Sequence, residues 1–156
     1  GLAASVLYLL STQVLLDILG KQSPGTQWMT TAPAGSVEIS VVSIGQAQRY
    51  IGKLSSASER EKLMRALRRI EATVTGKNRE HEGVVPFEGE AARIWAELAD
   101  ADLPYIVRNS GHPEREVPLG ATGRMVVATA LARSGTLVEA PQPYHEKIAR
   151  LLVEHP

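Results

Sequence analysis

The first residue placed for chemistry is Ser11, where the apolar run 7–10 stops and a short polar segment begins. An apolar run that ends in small polar residues before a helical pattern indicates a buried strand, which delivers side chains to the carboxyl edge of a parallel sheet. Ser11 has neither a neighbouring base nor a glycine-flanked turn, so the sequence does not indicate a nucleophile. A polar strand end at the ligand-binding edge of an α/β fold is the simpler interpretation.

Positive charge is concentrated on one predicted helix. The residues that carry it, and that we consider candidates for RNA binding, are Arg60, Lys62, Arg65, Arg68 and Arg69. Basic residues along a helix are able to follow a nucleic-acid backbone. Glu59 and Glu61 interrupt the series, however, and a solvated face with paired charges is the favoured interpretation.

The histidines show no metal-binding pattern. His81, His112, His145 and His155 lie in polar, loop-like or terminal contexts, each without a second ligand at helical spacing. Because a zinc site needs three or four convergent donors, we expect none of them to bind metal.

Length and composition limit the possible classes of protein. The 156 residues predict a single domain, 1–156. Seventeen Lys and Arg balance seventeen Asp and Glu, so no overall positive field attracts nucleic acid, and any RNA contact must be local.

Cysteine is absent, which fits a reducing cytoplasm. No basic residue precedes the apolar start 2–19, which polar residues interrupt, so we predict a cytoplasmic protein without a signal peptide or membrane span.

The elements that hold these side chains are predicted from apolar runs and their periodicity. Strands are predicted at 7–10, 37–42, 84–87 and 136–138. Helices are predicted after the first strand and at about 43–54, 58–75, 89–98 and 126–132. Segments rich in Gly and Pro are predicted to be irregular at 21–36 and 102–120.

Two further features complete this pattern. Ser58, followed three residues later by Glu61, forms a capping box that is predicted to start the long helix. Segment 148–153 fits either a strand or a helix. The alternation of strands and helices predicts an α/β fold with a parallel sheet covered by helices on both faces.

Four segments resemble a known family. YLLSTQVLLDIL, at 8–19, resembles the opening of PIN-domain ribonucleases, the VapC toxins in particular. SVEISVVSIGQAQRYI is similar to the family's second strand and the turn that follows it, and VVPFEGEAARIWAEL to its Pro-Phe-Asp strand and next helix. VVATALARSGTLV, at 126–138, is similar to the late helix and strand.

The resemblance implies both a fold and a chemistry. The fold is a three-layer α/β/α sandwich around a mostly parallel sheet of four or five strands. Active members of the family cut RNA with Mg²⁺ or Mn²⁺ held by three or four carboxylates at the strand ends, because a hard cation takes oxygen ligands and activates water for phosphodiester hydrolysis. The resemblance also implies a homodimer, an antitoxin-like protein partner and RNA as a further partner.

The positions that match the family's acids carry no acid in this chain. The first acid falls on Ser11, with its companion Asn on Gln13, and the acid after the second strand falls on Gln46. The later two fall on Gly123, beside Thr122, and near Tyr144. Without carboxylates, a dehydrated cation would find no compensating charge. We therefore predict a catalytically silent PIN-like domain that needs no cofactor and retains dimerisation and RNA or antitoxin binding.

Two other hypotheses stay open at this point. In the first, the protein is an active Mg²⁺- or Mn²⁺-dependent endoribonuclease whose carboxylates have moved to Glu139, Asp17 and Glu88. Simpler interpretations of these residues are a solvated strand end for Glu139, a helix surface residue for Asp17 and a helix N-terminal charge for Glu88. In the second, the chain is a structural or engineered scaffold that binds nothing specific.

Overall fold

A computed structural model describes residues 6–76, 83–109 and 111–156. Five parallel strands form its central sheet in the spatial order β3-β2-β1-β6-β7. The strands of this sheet are β1 (Tyr8–Leu10), β2 (Val37–Ser40), β3 (Val84–Val85), β6 (Thr136–Val138) and β7 (Leu152–Glu154). The undecided segment 148–153 therefore ends in a strand. β4 (Pro104–Val107) and β5 (Arg115–Pro118) form a separate antiparallel hairpin.

Helices cover the sheet on both faces. They are α1 (Thr12–Leu19), α2 (Gly25–Thr31), α3 (Val41–Gly52), α4 (Ala57–Gly76), α5 (Glu90–Leu98) and α6 (Ala121–Ala132), with a short 3₁₀ helix at Pro143–Lys147. Leu10 faces a core formed with α1, α3 and α4, whereas its neighbour Leu9 faces a second core formed with α6. Adjacent residues of a strand point to opposite faces, so the structure confirms the predicted three-layer α/β/α fold.

Two sequence predictions about segments were wrong. Segment 21–36 was predicted to be irregular, but it contains α2, whose Trp28 packs edge-on against Tyr8 with ring centroids 5.3 Å apart. Segment 102–120 contains the hairpin β4–β5. Its three prolines suggested a loop, but Pro104 and Pro118 pair with each other at the open end, where missing amide donors are tolerated.

Several predicted element boundaries also require correction. The helix α6 begins at Ala121 rather than at 126, and β3 ends at Val85 rather than at 87. The second strand ends at Ser40 rather than at residue 42, because the Ser40 hydroxyl accepts a hydrogen bond from the Val42 amide (3.1 Å) and caps α3. The long helix is capped by Ser56, whose hydroxyl accepts from the Glu59 amide (3.2 Å), and not by Ser58.

Buried Arg124 joins α6 to the end of α5. Its guanidinium donates to the Leu119 carbonyl (2.7 Å), to the carbonyl of Leu98, the last residue of α5, and to the carbonyl of Ala101 in the segment that follows. Carbonyls at a helix end lack intrahelical donors, so Arg124 satisfies them and holds the start of α6 in place. None of the helices in the described residues combines the length and apolar character needed to cross a bilayer.

Candidate functional site

Residues that follow two strands and residues of two helices meet in one cleft at the carboxyl edge of the sheet. Ser11 follows β1 and Glu139 follows β6, while Gln46 comes from α3 and Gly123 from α6. The cleft has a volume of about 370 Å³ and is open to solvent on one side. Its other polar and apolar lining residues include Thr12, Gln13, Tyr105, Val107, Val117, Leu119, Thr122, Val126, Leu137 and Tyr144. The matched positions Ser11, Gln46, Gly123 and Tyr144 thus lie around a single cleft.

Ser11 has a structural task in this cleft. Its side chain is buried and its hydroxyl accepts a hydrogen bond from the Val14 amide (3.2 Å), which caps the N-terminus of α1. The next residue, Thr12, hydrogen-bonds through its hydroxyl to the Ser43 hydroxyl of α3 (2.9 Å). No base contacts Ser11 in the described residues, and the structure supports the interpretation of a polar strand end.

The second and third matched positions contact each other across the cleft. Gln46 donates from its side-chain amide to the Thr122 hydroxyl (3.2 Å), which links α3 to α6. Gly123 itself has no room for a side chain, because an added Cβ would lie 2.7 Å from Cδ1 of the largely buried Leu119. Of the two neighbours, Thr122 is the one that presents a side chain toward Gln46.

Glu139 is the centre of a cluster that the sequence did not reveal. Its side chain is only 10% exposed, and Oε1 accepts hydrogen bonds from the Tyr144 hydroxyl and from Nε2 of His145 (2.8 Å). Its backbone carbonyl accepts from Nδ1 of His155 (2.7 Å). The interpretation of Glu139 as a solvated strand end was wrong. His145 and His155, which the sequence placed in polar, loop-like or terminal contexts, both bond to this residue.

The partners of His145 fix its tautomer. Nδ1 accepts a hydrogen bond from the Gln142 amide (3.3 Å), so the ring proton is on Nε2, which donates to Glu139. Burial, then the nearby Glu139 charge, raise the pKa of the Tyr144 hydroxyl above the usual value for tyrosine. Burial is also the main cause that raises the pKa of Tyr105. Both phenols therefore stay neutral across the physiological pH range.

The hairpin β4–β5 forms an apolar wall of the cleft. Gln142 holds it in place, because its side chain accepts from the Ile106 amide (2.8 Å) and donates to the Ile106 carbonyl (3.1 Å). The wall brings the ring of Tyr105 to 6.4 Å from that of Tyr144, measured between centroids. The β-branched pair Ile106-Val107 was the one sequence signal for this strand.

The structure does not bring the alternative carboxylates together. Glu139 lines the cleft, but Asp17 lines a separate groove, where its carboxylate accepts from the Gln13 side chain (3.0 Å), and Glu88 is not among the cleft residues. Within the described residues, no group of three or more His, Asp or Glu side chains is arranged to hold a metal ion. His81 lies outside those residues. The described residues of the cleft thus offer one carboxylate and several neutral groups as donors. This set of donors does not fit Mg²⁺ or Mn²⁺, because a hard divalent cation takes several anionic oxygen ligands.

The basic residues of α4 do not line the cleft. Arg60 donates to the Leu54 carbonyl and Arg65 pairs with Glu61 (3.1 Å), so both have intramolecular partners. Lys62, Arg68 and Arg69 are exposed.

Comparison with known proteins gives structural matches alone. No protein-family model matches the chain, and no curated protein does. Among solved structures, FitAcB from Neisseria gonorrhoeae is 19% identical, with a TM-score of 0.66 and coverage of 94% of this chain and 96% of that one. VapBC-1 from nontypeable Haemophilus influenzae is 13% identical, with a TM-score of 0.66 and coverage of 96% and 98%.

A further match is VapBC2 from Rickettsia felis bound to a DNA fragment from its promoter, at 13% identity, a TM-score of 0.65 and coverage of 97% of this chain and 99% of that one. At such identities the likeness establishes the fold and not the activity. The order of the five parallel strands, the helices on both faces and these matches lead to one conclusion: the chain has the PIN-like α/β/α fold of the VapC and FitB toxins.

Proposed function

We propose that this protein is a VapC-like domain that does not cut RNA and that acts by binding a protein partner of the antitoxin type. The observation that carries the first part is the charge of the cleft. Ser11, Gln46 and Thr122 are neutral, and the one carboxylate, Glu139, has an oxygen engaged by Tyr144 and His145. A hard divalent cation needs several anionic oxygens, which this donor set does not supply.

The second part rests on the structural neighbours and on a groove of the chain. The neighbours include a member of the VapBC family of toxin-antitoxin systems from Mycobacterium tuberculosis and a toxin-antitoxin complex from Klebsiella pneumoniae. In this chain, α1, α2 and α4 border a groove of about 310 Å³, lined by the partly buried apolar side chains of Ile18 and Met29. Lys21 and Arg69 lie at its rim and are exposed. The apolar floor of the groove fits the apolar face of an amphipathic helix. Its basic rim fits acidic residues on the same helix. A homodimer and RNA contact stay predictions from the resemblance.

Metal binding and RNA cleavage test the first part. We expect no micromolar Mn²⁺ site by electron paramagnetic resonance, and no RNA cleavage in Mg²⁺ or Mn²⁺ beyond that of the E139Q variant. Micromolar Mn²⁺ binding or cleavage that E139Q abolishes would instead establish the alternative, a nuclease with relocated ligands.

Charge reversal tests the second part. An acidic amphipathic helical peptide should bind the parent, and the double variant K21E/R69E should weaken this binding at least tenfold. R49E/K53E is the matched control, since it changes the net charge by the same amount and both residues are exposed near the end of α3 and do not line the groove. Equal effects of both variants would show non-specific attraction and refute the groove as the docking site.

A further inference from the structure

We propose that the cleft binds a small organic monocation, an amine with an apolar or aromatic body, with Glu139 as its anchor. The proposal rests on the proposed function in one respect, that Glu139 is not used as a metal ligand.

The first observation is the hydrogen bonding of the Glu139 carboxylate. Both side-chain donors, Tyr144 and His145, go to the same oxygen, Oε1. Oε2 has no hydrogen-bond donor among the described residues, although the side chain is 10% exposed and lines the cleft. A free oxygen on a largely buried carboxylate is able to accept a hydrogen bond from an N–H group of a ligand, and such a charge-assisted bond strengthens binding.

The second observation is the distribution of charge. Among the described residues that line the cleft, Glu139 is the only charged one. The neutral groups at the mouth, which include Gln13, Gln46 and Thr122, offer hydrogen bonds without repelling a cation. An anionic ligand would meet the carboxylate with no basic residue to compensate it, whereas a single positive charge is matched by Glu139. A charge-assisted hydrogen bond to a carboxylate is also stronger than a neutral one.

The third observation is the shape and chemistry of the walls. Tyr105 and Tyr144 present rings 6.4 Å apart, and Val107, Val117 and Leu119 extend the apolar surface from the hairpin. Aromatic faces attract an adjacent ammonium group, and apolar walls accommodate the rest of the molecule. The volume of about 370 Å³ lies at the lower end of the range of small-molecule sites, about 300–1,000 Å³. A compact ligand is therefore expected.

The test uses 2-phenylethylamine as the probe and 2-phenylethanol as its uncharged counterpart, with binding measured by calorimetry. We expect the amine to bind at least tenfold more tightly than the alcohol to the parent protein. E139Q should abolish this preference, because glutamine keeps an acceptor for Tyr144 and His145 but loses the charge. E146Q is the matched control: Glu146 is exposed on the same 3₁₀ helix and is absent from the cleft, so its variant should keep the preference.

A second variant tests the proposal independently, so that the test does not depend on the folding of E139Q. V117W fills the cleft from the hairpin without changing Glu139, and it should reduce amine binding at least tenfold while the thermal unfolding transition stays cooperative. Equal affinity for amine and alcohol, or binding of neither, would overturn the proposal and leave the proposed function intact. Displacement of the amine by micromolar Mn²⁺ would show Glu139 to be a metal ligand and overturn both.

Discussion

Acids placed at Ser11, Gln46 and Thr122 should turn the neutral cleft into a metal site. The triple variant S11D/Q46E/T122D puts three carboxylates around the same space, which is the donor set that Mg²⁺ prefers. Asp at position 11 keeps the cap of α1, because its carboxylate is able to accept from the Val14 amide as Ser11 does. The third acid belongs at Thr122 rather than at Gly123, the position matched by sequence, because a Cβ there would clash with Leu119.

The size of the effect follows from the geometry. The side chains of Gln46 and Thr122 approach to 3.2 Å. Two unit charges about 4 Å apart repel by ~1 kcal/mol in water and ~4 kcal/mol at an effective dielectric constant near 20. Since Thr122 is exposed, we expect the metal-free variant to lose about 1–2 kcal/mol of stability, toward the aqueous limit. Mg²⁺ at 100 times its Kd then stabilises the folded variant by ~2.7 kcal/mol. For a chain of this size, that stabilisation raises the Tm by about 5–11 °C.

Thermal unfolding with and without Mg²⁺ measures this response. The matched control is S11D/Q46E/T122N, which has the same shape but one charge fewer and should respond less. The parent should not respond. If parent and triple variant respond equally to Mg²⁺, or if neither responds, then these three positions do not define a metal-binding arrangement and the register of the resemblance is wrong.

Three further predictions concern stability. R124M should lower the free energy of unfolding by about 2–4 kcal/mol in urea titrations, because it removes donors from one buried and two partly buried carbonyls. R124K should recover part of the loss. The raised pKa of Tyr144 means that the folded state holds its proton more tightly than the unfolded state, so stability is complete below pH 10 and falls above it by up to ~1.4 kcal/mol per pH unit. Y144F should lessen this fall in alkaline urea titrations, and Y50F, an exposed control, should not. G45A should stabilise α3 by about 0.5–1 kcal/mol, because an added Cβ contacts nothing there. In the same titrations G123A should stabilise the protein less than G45A does, because its added Cβ would clash with the Leu119 side chain.

The sequence was sufficient for the main elements because their signals are local. The apolar runs at β1, β2 and β6 and the helical stripe of α4 follow from periodicity, and strand and helix alternation gives a parallel sheet. The hairpin could not be predicted, because whether a proline disrupts a strand depends on its place in the ladder. Pro104 and Pro118 lie opposite each other at the end of the hairpin, where neither interrupts the ladder of hydrogen bonds.

The Glu139 cluster could not be predicted for a different reason. It depends on β6 and β7 lying side by side, which brings His155 to the Glu139 carbonyl, and on the 3₁₀ helix that turns Tyr144 and His145 back toward the carboxylate. No spacing rule for metal or catalytic motifs describes that arrangement. The nearest signal was the run of Gln142, Tyr144 and His145 soon after Glu139, which places several hydrogen-bonding side chains within reach of one acid.

The cleft keeps its shape through contacts within the chain. Ser11 caps a helix, Gln46 joins Thr122 across two helices, and Tyr144 bonds to Glu139. Each of these polar groups has an intramolecular partner, so the edge of the sheet stays organised without a cation to hold repelling charges together. A cage of carboxylates at the same positions would need its metal for stability, whereas in the described part of this chain one oxygen of Glu139 stays available to a ligand. Among the described residues, the cleft therefore combines one negative charge with neutral polar and apolar groups, which favours one positive charge over a phosphate backbone.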